Sequence, residues 1–174
     1  MDLTKEIRKE HSKTMAHKIA GYVGNNPTRF KALLNIYLGG PYRITQRAAY
    51  PLGVCAERYP ELIMPHLSKL IHFVRKPGIH NAVKRNTLRM LQFIEIPGRY
   101  HGRIAALCFE YLQSKHEPVA VKVFSMSVLS AIVNKNRDLQ KELRIILEDQ
   151  MPFASAAYLS RARKVLRNLP LDPM

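Results

Sequence analysis

Seven histidines, two cysteines and a scatter of carboxylates are the groups in this chain that could do chemistry, and their spacing argues against most of it. His11, His17, His66, His72, His80, His101 and His116 form no H-E-x-x-H pattern, and no C-x-x-C accompanies them. A zinc site is therefore not expected. His66 and His72 lie six residues apart, poor geometry for a shared ligand on a helix, so solvated or locally hydrogen-bonded imidazoles are the expectation. No phosphate-binding glycine loop is present. The eight glycines sit at turns or stand alone inside helical patterns, as Gly21 and Gly53 do, where close helix packing is the usual reason for them. Cys55 and Cys108 fall within apolar helical patterns and read as two buried thiols, which fits a reducing cytoplasm. Catalytic residues, cofactors and metals are all expected to be absent.

Cations are the remaining chemical resource. Lys and Arg number 28 against 13 acids, a net charge of +15. The surplus is uneven: +4 in each of residues 1–40, 41–78 and 79–116, zero in 117–152 and +3 in 153–174. Such a surplus suits a polyanion, a nucleic acid or an acidic protein segment. What could gather these cations on one surface is a repeat. Ile7-Arg8, Val83-Lys84 and Val121-Lys122 each open the pattern apolar-basic-x-x-small-x-x-x-apolar. Thr45 and Tyr158 open degraded copies, with Ala49 and Ala162 at the small position. The five anchors Ile7, Thr45, Val83, Val121 and Tyr158 are spaced 38, 38, 38 and 37.

A second pattern recurs at nearly the same step. Phe30-Leu33-Leu34-Tyr37 is matched by Leu67-Leu70-Ile71-Val74, by Ile104-Leu107-Cys108-Tyr111 and by Leu143-Ile146-Leu147. Spacing i, i+3, i+4, i+7 puts these residues on one helix face. Each repeat thus holds two amphipathic helices, and neither buries its stripe without its neighbours. The expected architecture is an all-α, right-handed superhelix of about four and a half helix pairs, read as one domain over residues 1–174. Its repeats are 3–40, 41–78, 79–116 and 117–152, with a cap helix at 153–169. Expected helices cover 3–23, 27–38, 42–58 with a kink at the internal Pro51, 60–75, 80–94, 99–114, about 117–134, one opened by Asp138 as N-cap or first-turn acid, and 153–169. Pro170 and Pro173 end the run. No apolar stretch is long enough to span a bilayer, and the basic N-terminus has no following apolar core of a signal peptide.

The Val-Lys/Arg-x-x-small-x-x-x-Leu signature, the paired helices and Leu62-Ile63-Met64-Pro65-His66-Leu67 resemble HEAT repeats, over nearly the whole chain. More narrowly, Val119-Ala120-Val121-Lys122-Val123-Phe124-Ser125-Met126 and Tyr158-Leu159-Ser160-Arg161-Ala162-Arg163 resemble a group of short bacterial HEAT-like chains. Some of those carry an adenylosuccinate lyase label. That activity is not expected, since such lyases are far longer and use a Ser-rich loop with a Met-Pro-x-Lys-x-Asn-Pro stretch, which Met64-Pro65-His66 is not. The HEAT-like alkylpurine DNA glycosylases use an acidic residue beside tryptophans, and this chain has no tryptophan.

The resemblance implies a binding or scaffold module with an armadillo-like solenoid fold and no catalysis. Positions matched at the 37-residue step give Arg29, His66 and Arg103 in one column, then Glu142, and Asn35, His72 and Phe109 in another, then Glu148. Lys31 and Lys69 lie nearby, and Arg75, Lys76 and Lys115 cluster at the turns between repeats. The candidate binding surface is accordingly Arg29, Lys31, Asn35, His66, Lys69, His72, Arg75, Lys76, Arg103 and Lys115. Its expected occupant is a protein partner or an acidic macromolecule, with nucleic acid the alternative. Arg161, Arg163 and Lys164 on the last helix read as the solubilising face of an end cap.

Overall fold

A computed structural model describes residues 1–170 (for Lys135, the backbone alone), and Pro173 lies outside them. The described residues are helical without any strand. Ten α-helices follow one another: α1 Leu3–Lys9, α2 Lys13–Val23, α3 Pro27–Gly39, α4 Tyr42–Arg58, α5 Leu67–Val74, α6 Asn81–Leu91, α7 Gly98–Gln113, α8 Val119–Ile132, α9 Arg137–Gln150 and α10 Ala156–Asn168. They fall into two compact units, residues 1–94 and 95–174. The division lies between α6 and α7, inside the third repeat.

In the N-terminal unit α4 is the central helix, packed against α1, α2, α3 and α6. It runs unbroken through Pro51 and buries a continuous stretch from Pro51 to Ala56. Phe30, Leu33, Leu34 and Tyr37 of α3 are all buried, as are Leu67, Leu70, Ile71 and Val74 of α5. In the C-terminal unit α8 packs against α7 and α10. There Ile104, Leu107, Cys108, Tyr111, Leu143 and Leu147 are buried.

The repeat signature has a direct physical reading. Every anchor is buried: Ile7, Thr45, Val83, Val121 and Tyr158. So are the small residues four positions on, Ala49, Thr87, Ser125 and Ala162, each with no exposed surface. Two of these carry hydroxyls, and both are satisfied one turn back. Thr87 Oγ1 donates to the Val83 carbonyl at 3.0 Å and Ser125 Oγ to the Val121 carbonyl at 2.9 Å. A buried hydroxyl without such a partner would destabilise the core. Tyr37 Oη lies 2.6 Å from Thr87 Oγ1 and 3.2 Å from the same Val83 carbonyl, which ties the first repeat to the third.

Three departures from the sequence reading have local causes. The expected helix over 3–23 is two helices. Glu10 is extended, and Ser12 Oγ accepts from the Met15 amide at 3.1 Å to start α2 afresh. His11 stands where the other repeats carry a small buried residue, and it is exposed. The expected helix over 60–75 opens instead with two 3-10 turns, Pro60–Leu62 and Met64–His66. Pro65 lacks the amide that an α-turn begun at Pro60 would use, whereas Pro60, at the first position, loses nothing. Of the two roles expected for Asp138 the structure gives the first-turn acid, since Asn136 Oδ1 accepts from the Leu139 amide at 3.1 Å and caps that helix. The cap helix begins at Ala156, after a 3-10 turn at Met151–Phe153.

The isolated glycines do not serve close packing. A Cβ built on Gly21 or Gly53 would meet nothing within 4 Å. Gly40 is different, because its Cβ would sit 2.6 Å from the Ile36 carbonyl, and Gly24 holds φ 53° at the end of α2.

Candidate binding surface

The candidate residues of the N-terminal unit sort into three groups by what they touch. Lys31, His66 and Lys69 come together. Lys31 is exposed on α3 and Lys69 is exposed on α5. His66, at the start of α5, is half-buried and stacks on Phe30, with ring centroids 5.9 Å apart at 22°. Burial, then the charges of Lys69 and Lys31, hold the His66 imidazole below the usual histidine value. Two lysines are therefore close enough to act on one neutral ring.

Asn35, His72, Arg75 and Lys76 are exposed. Asn35 lies one turn beyond Lys31 on α3, His72 lies three residues beyond Lys69 on α5, and Arg75 and Lys76 follow the end of that helix. The Lys76 ammonium sits 5.5 Å from the centre of the Phe73 ring. Arg29 is used otherwise. Its Nη1 donates to the Tyr22 carbonyl at 2.8 Å, and its guanidinium covers the Tyr22 ring at 4.5 Å. It thereby closes the end of α2 and is the candidate most committed to the fold.

Arg103 and Lys115 belong to the C-terminal unit, both exposed. Arg103 lies on α7. Phe109, which shares a sequence column with Asn35 and His72, is buried at 7% exposure, so that column does not continue as a surface feature. Lys115 lines a cavity of about 480 Å³, together with Glu117, Lys122, Asp149, Phe153 and Tyr158 among others. Sequence reasoning named Lys115 alone of these. The available signals were Lys122, the basic position of the repeat signature, and Phe153, an apolar residue after Pro152 that proves 93% exposed.

Several other ionisable groups have fold-holding partners. His80 Nδ1 accepts from the Ala82 amide at 3.1 Å and so caps α6. His101 Nε2 donates to the Ile96 carbonyl at 2.7 Å, and Arg58 donates to His17 Nδ1 at 3.0 Å. Cys55 and Cys108 are buried free thiols, each pushed up to about 12 by burial, so neither is a thiolate near neutrality. Among the described residues no group of three or more His, Cys, Asp or Glu could hold a metal ion.

Comparison with known proteins speaks to the frame that carries these surfaces. The model of the HEAT repeat domain matches residues 3–169, which is α1 to the residue after α10. The chain belongs to the HEAT repeat family. No curated relative and no solved structure matches it. HEAT repeats are generally non-catalytic and commonly mediate protein interactions, so this HEAT chain is a helical-repeat scaffold or binding module. No described helix is long and apolar enough to cross a membrane.

Proposed function

We propose that this HEAT chain is a non-catalytic binding module whose N-terminal unit docks an acidic segment of a partner protein on the face built by α3 and α5. The observation that carries the reading is the pair of exposed lysines, Lys31 on α3 and Lys69 on α5, on the two segments that the stacked Phe30 and His66 rings join. Arg75 and Lys76, exposed just past the end of α5, add further positive charge to this unit. Lysines present point charges on flexible stems, suited to carboxylates of variable position. Base stacking would instead need flat exposed aromatics. The large aromatic exposed in this unit, Tyr42, is met edge-on by His80 at 5.1 Å, and Phe30 and Tyr37 are buried. Adenylosuccinate lyase and glycosylase chemistry fall outside this reading.

The test is anisotropy with a labelled oligoglutamate peptide, duplex DNA and single-stranded DNA, each at two salt concentrations. The expected result is peptide binding that weakens with salt, removed by reversing Lys31, Lys69 and Lys76 to Glu. Reversing Arg161, Arg163 and Lys164 alters net charge equally and should weaken binding far less. Equal weakening would mean that total charge governs, and the reading would fail. Preferred binding to DNA, with each lost contact lowering the salt slope by about 0.9 for duplex, would assign the face to nucleic acid.

A further inference from the structure

The cavity of the C-terminal unit is independent of the basic face and has a different character. One wall is the end of α7, the following loop and the start of α8, with Gln113, Lys115, Glu117, Val119 and Lys122. The other is the end of α9, the 3-10 turn and the start of α10, with Asp149, Gln150, Phe153 and Tyr158. Its volume of about 480 Å³ falls in the range of small-molecule sites.

A chain of hydrogen bonds fixes the inner part. Gln150 Nε2 donates to the Leu112 carbonyl at 3.2 Å, and Tyr158 Oη donates to Gln150 Oε1 at 3.0 Å. Burial and the Asp149 carboxylate push the Tyr158 phenol up to about 12, so it stays a neutral donor. Gln150 and Tyr158 on this wall are thus held in place.

The lining carries two cations, Lys115 and Lys122, and two anions, Glu117 and Asp149. Lys122 is half-buried, and burial, against the opposing pull of Glu117, lowers its ammonium below the usual lysine value. An incoming carboxylate would relieve that. Apolar surface lies beside these charges. Phe153 is 93% exposed and Val119 39% exposed, although both are large hydrophobic residues on the cavity wall. A ligand matching this lining is neutral overall, has a negative and a positive end, and bears apolar side chains.

We propose that this cavity binds a free short peptide of two or three apolar residues. Its terminal carboxylate would meet Lys122, with Lys115 at the rim. Its ammonium would meet Asp149, and its side chains would cover Phe153 and Val119. A single amino acid would leave much of the space unfilled, whereas a longer segment would have to leave the cavity.

The experiment is isothermal titration calorimetry of the full chain with leucyl-leucine, N-acetyl-leucyl-leucine and leucyl-leucinamide. The free dipeptide is expected to bind with a Kd below about 1 mM, and each capped form about tenfold or more weaker. Lys122→Met should abolish the preference for the free carboxylate, and Asp149→Asn the preference for the free amine. Phe153→Ala, at an exposed position, should weaken all three peptides together. Reversing Lys31 and Lys69 in the other unit should change nothing, which separates this proposal from the function proposed above. No binding of leucyl-leucine up to about 10 mM, or equal binding of the capped forms, would overturn the proposal. The cap comparison uses the unaltered protein, so it decides even where Lys122→Met does not fold.

Discussion

The two units put the same kind of core under different surfaces. Residues 1–94 carry sixteen Lys/Arg against five acids, and residues 95–174 carry twelve against eight. In the first unit acids serve as ties. Glu6 is hydrogen-bonded by Lys9 and by Lys18, the latter at 3.0 Å, which holds its carboxyl below the usual range. Glu57 meets Arg89 at 2.8 Å. The surplus cations of α3 and α5 remain at the surface. In the second unit charges of both signs line one cavity beside exposed apolar side chains. A repeat fixes what faces inward at every 37 or 38 residues and leaves the outward positions unconstrained. One frame can therefore carry an open basic face at one end of the sequence and a mixed-charge cavity at the other.

The largest expected effects come from the shared core. Leu33→Ala in α3 and Leu107→Ala in α7 remove matched residues with 0% and 2% exposure. Each should destabilise by about 2–5 kcal/mol, the usual cost of a core cavity. Chemical denaturation of both variants measures this. A cost for one near zero, typical of surface sites, would show that the two units do not share a register. A single transition with equal shifts would show that they unfold together.

That core was the most legible part of the sequence. Anchors and stripes are buried because their period leaves them no alternative, and α4, with its ends at Tyr42 and Arg58, was read to the residue. Failures came where a capping side chain or a proline outweighed periodicity, at Ser12 and at Pro65. The surfaces were less legible. Equal column positions suggested that Arg29, His66 and Arg103 act alike. Yet Arg29 turns onto Tyr22, and His66 sits half-buried between two lysines. Side-chain length and neighbouring helices decide such things, and repeat arithmetic contains neither. The cavity was harder to see for a further reason: Lys122 and Asp149 lie 27 residues apart, and no single motif contains both.

A smaller effect, and one that separates the units, is the pH response of His66. Its folded pKa lies below the ordinary value of a free histidine. Between those two values the unfolded chain binds a proton that the folded chain does not. Stability should then fall as pH drops through that window. An acidic ligand between Lys31 and Lys69 acts in the opposite direction. It favours the imidazolium, so its binding takes up a proton and tightens as pH falls from about 8 to about 5. His66→Phe keeps an aromatic ring against Phe30 and should remove the pH dependence of binding. Binding of a zwitterionic peptide at the other unit should have a pH profile that His66→Phe leaves unchanged. An unchanged pH profile in His66→Phe would place the acidic partner elsewhere.

The smallest expected effect tests whether the units respond alike to a change confined to backbone freedom. Gly21 lies inside α2 and Gly102 inside α7; both are exposed. A Cβ at either would meet nothing within 4 Å, and neither has a positive φ. Alanine at each site should therefore stabilise by about 0.5–1 kcal/mol, chiefly by reducing the freedom of the unfolded chain. Neither substitution touches a charge, the basic face or the cavity lining, so both binding activities should be unaffected. If the whole chain unfolds in one step, the two gains should appear in the same transition and add, since the sites share no partner. If the units unfold separately, Gly21→Ala should raise one melting transition and Gly102→Ala the other. Each transition would then belong to one surface. A ligand for the basic face should raise the transition that Gly21→Ala raises, and leucyl-leucine the one that Gly102→Ala raises. The reverse pairing would mean that the ligands had been assigned to the wrong units.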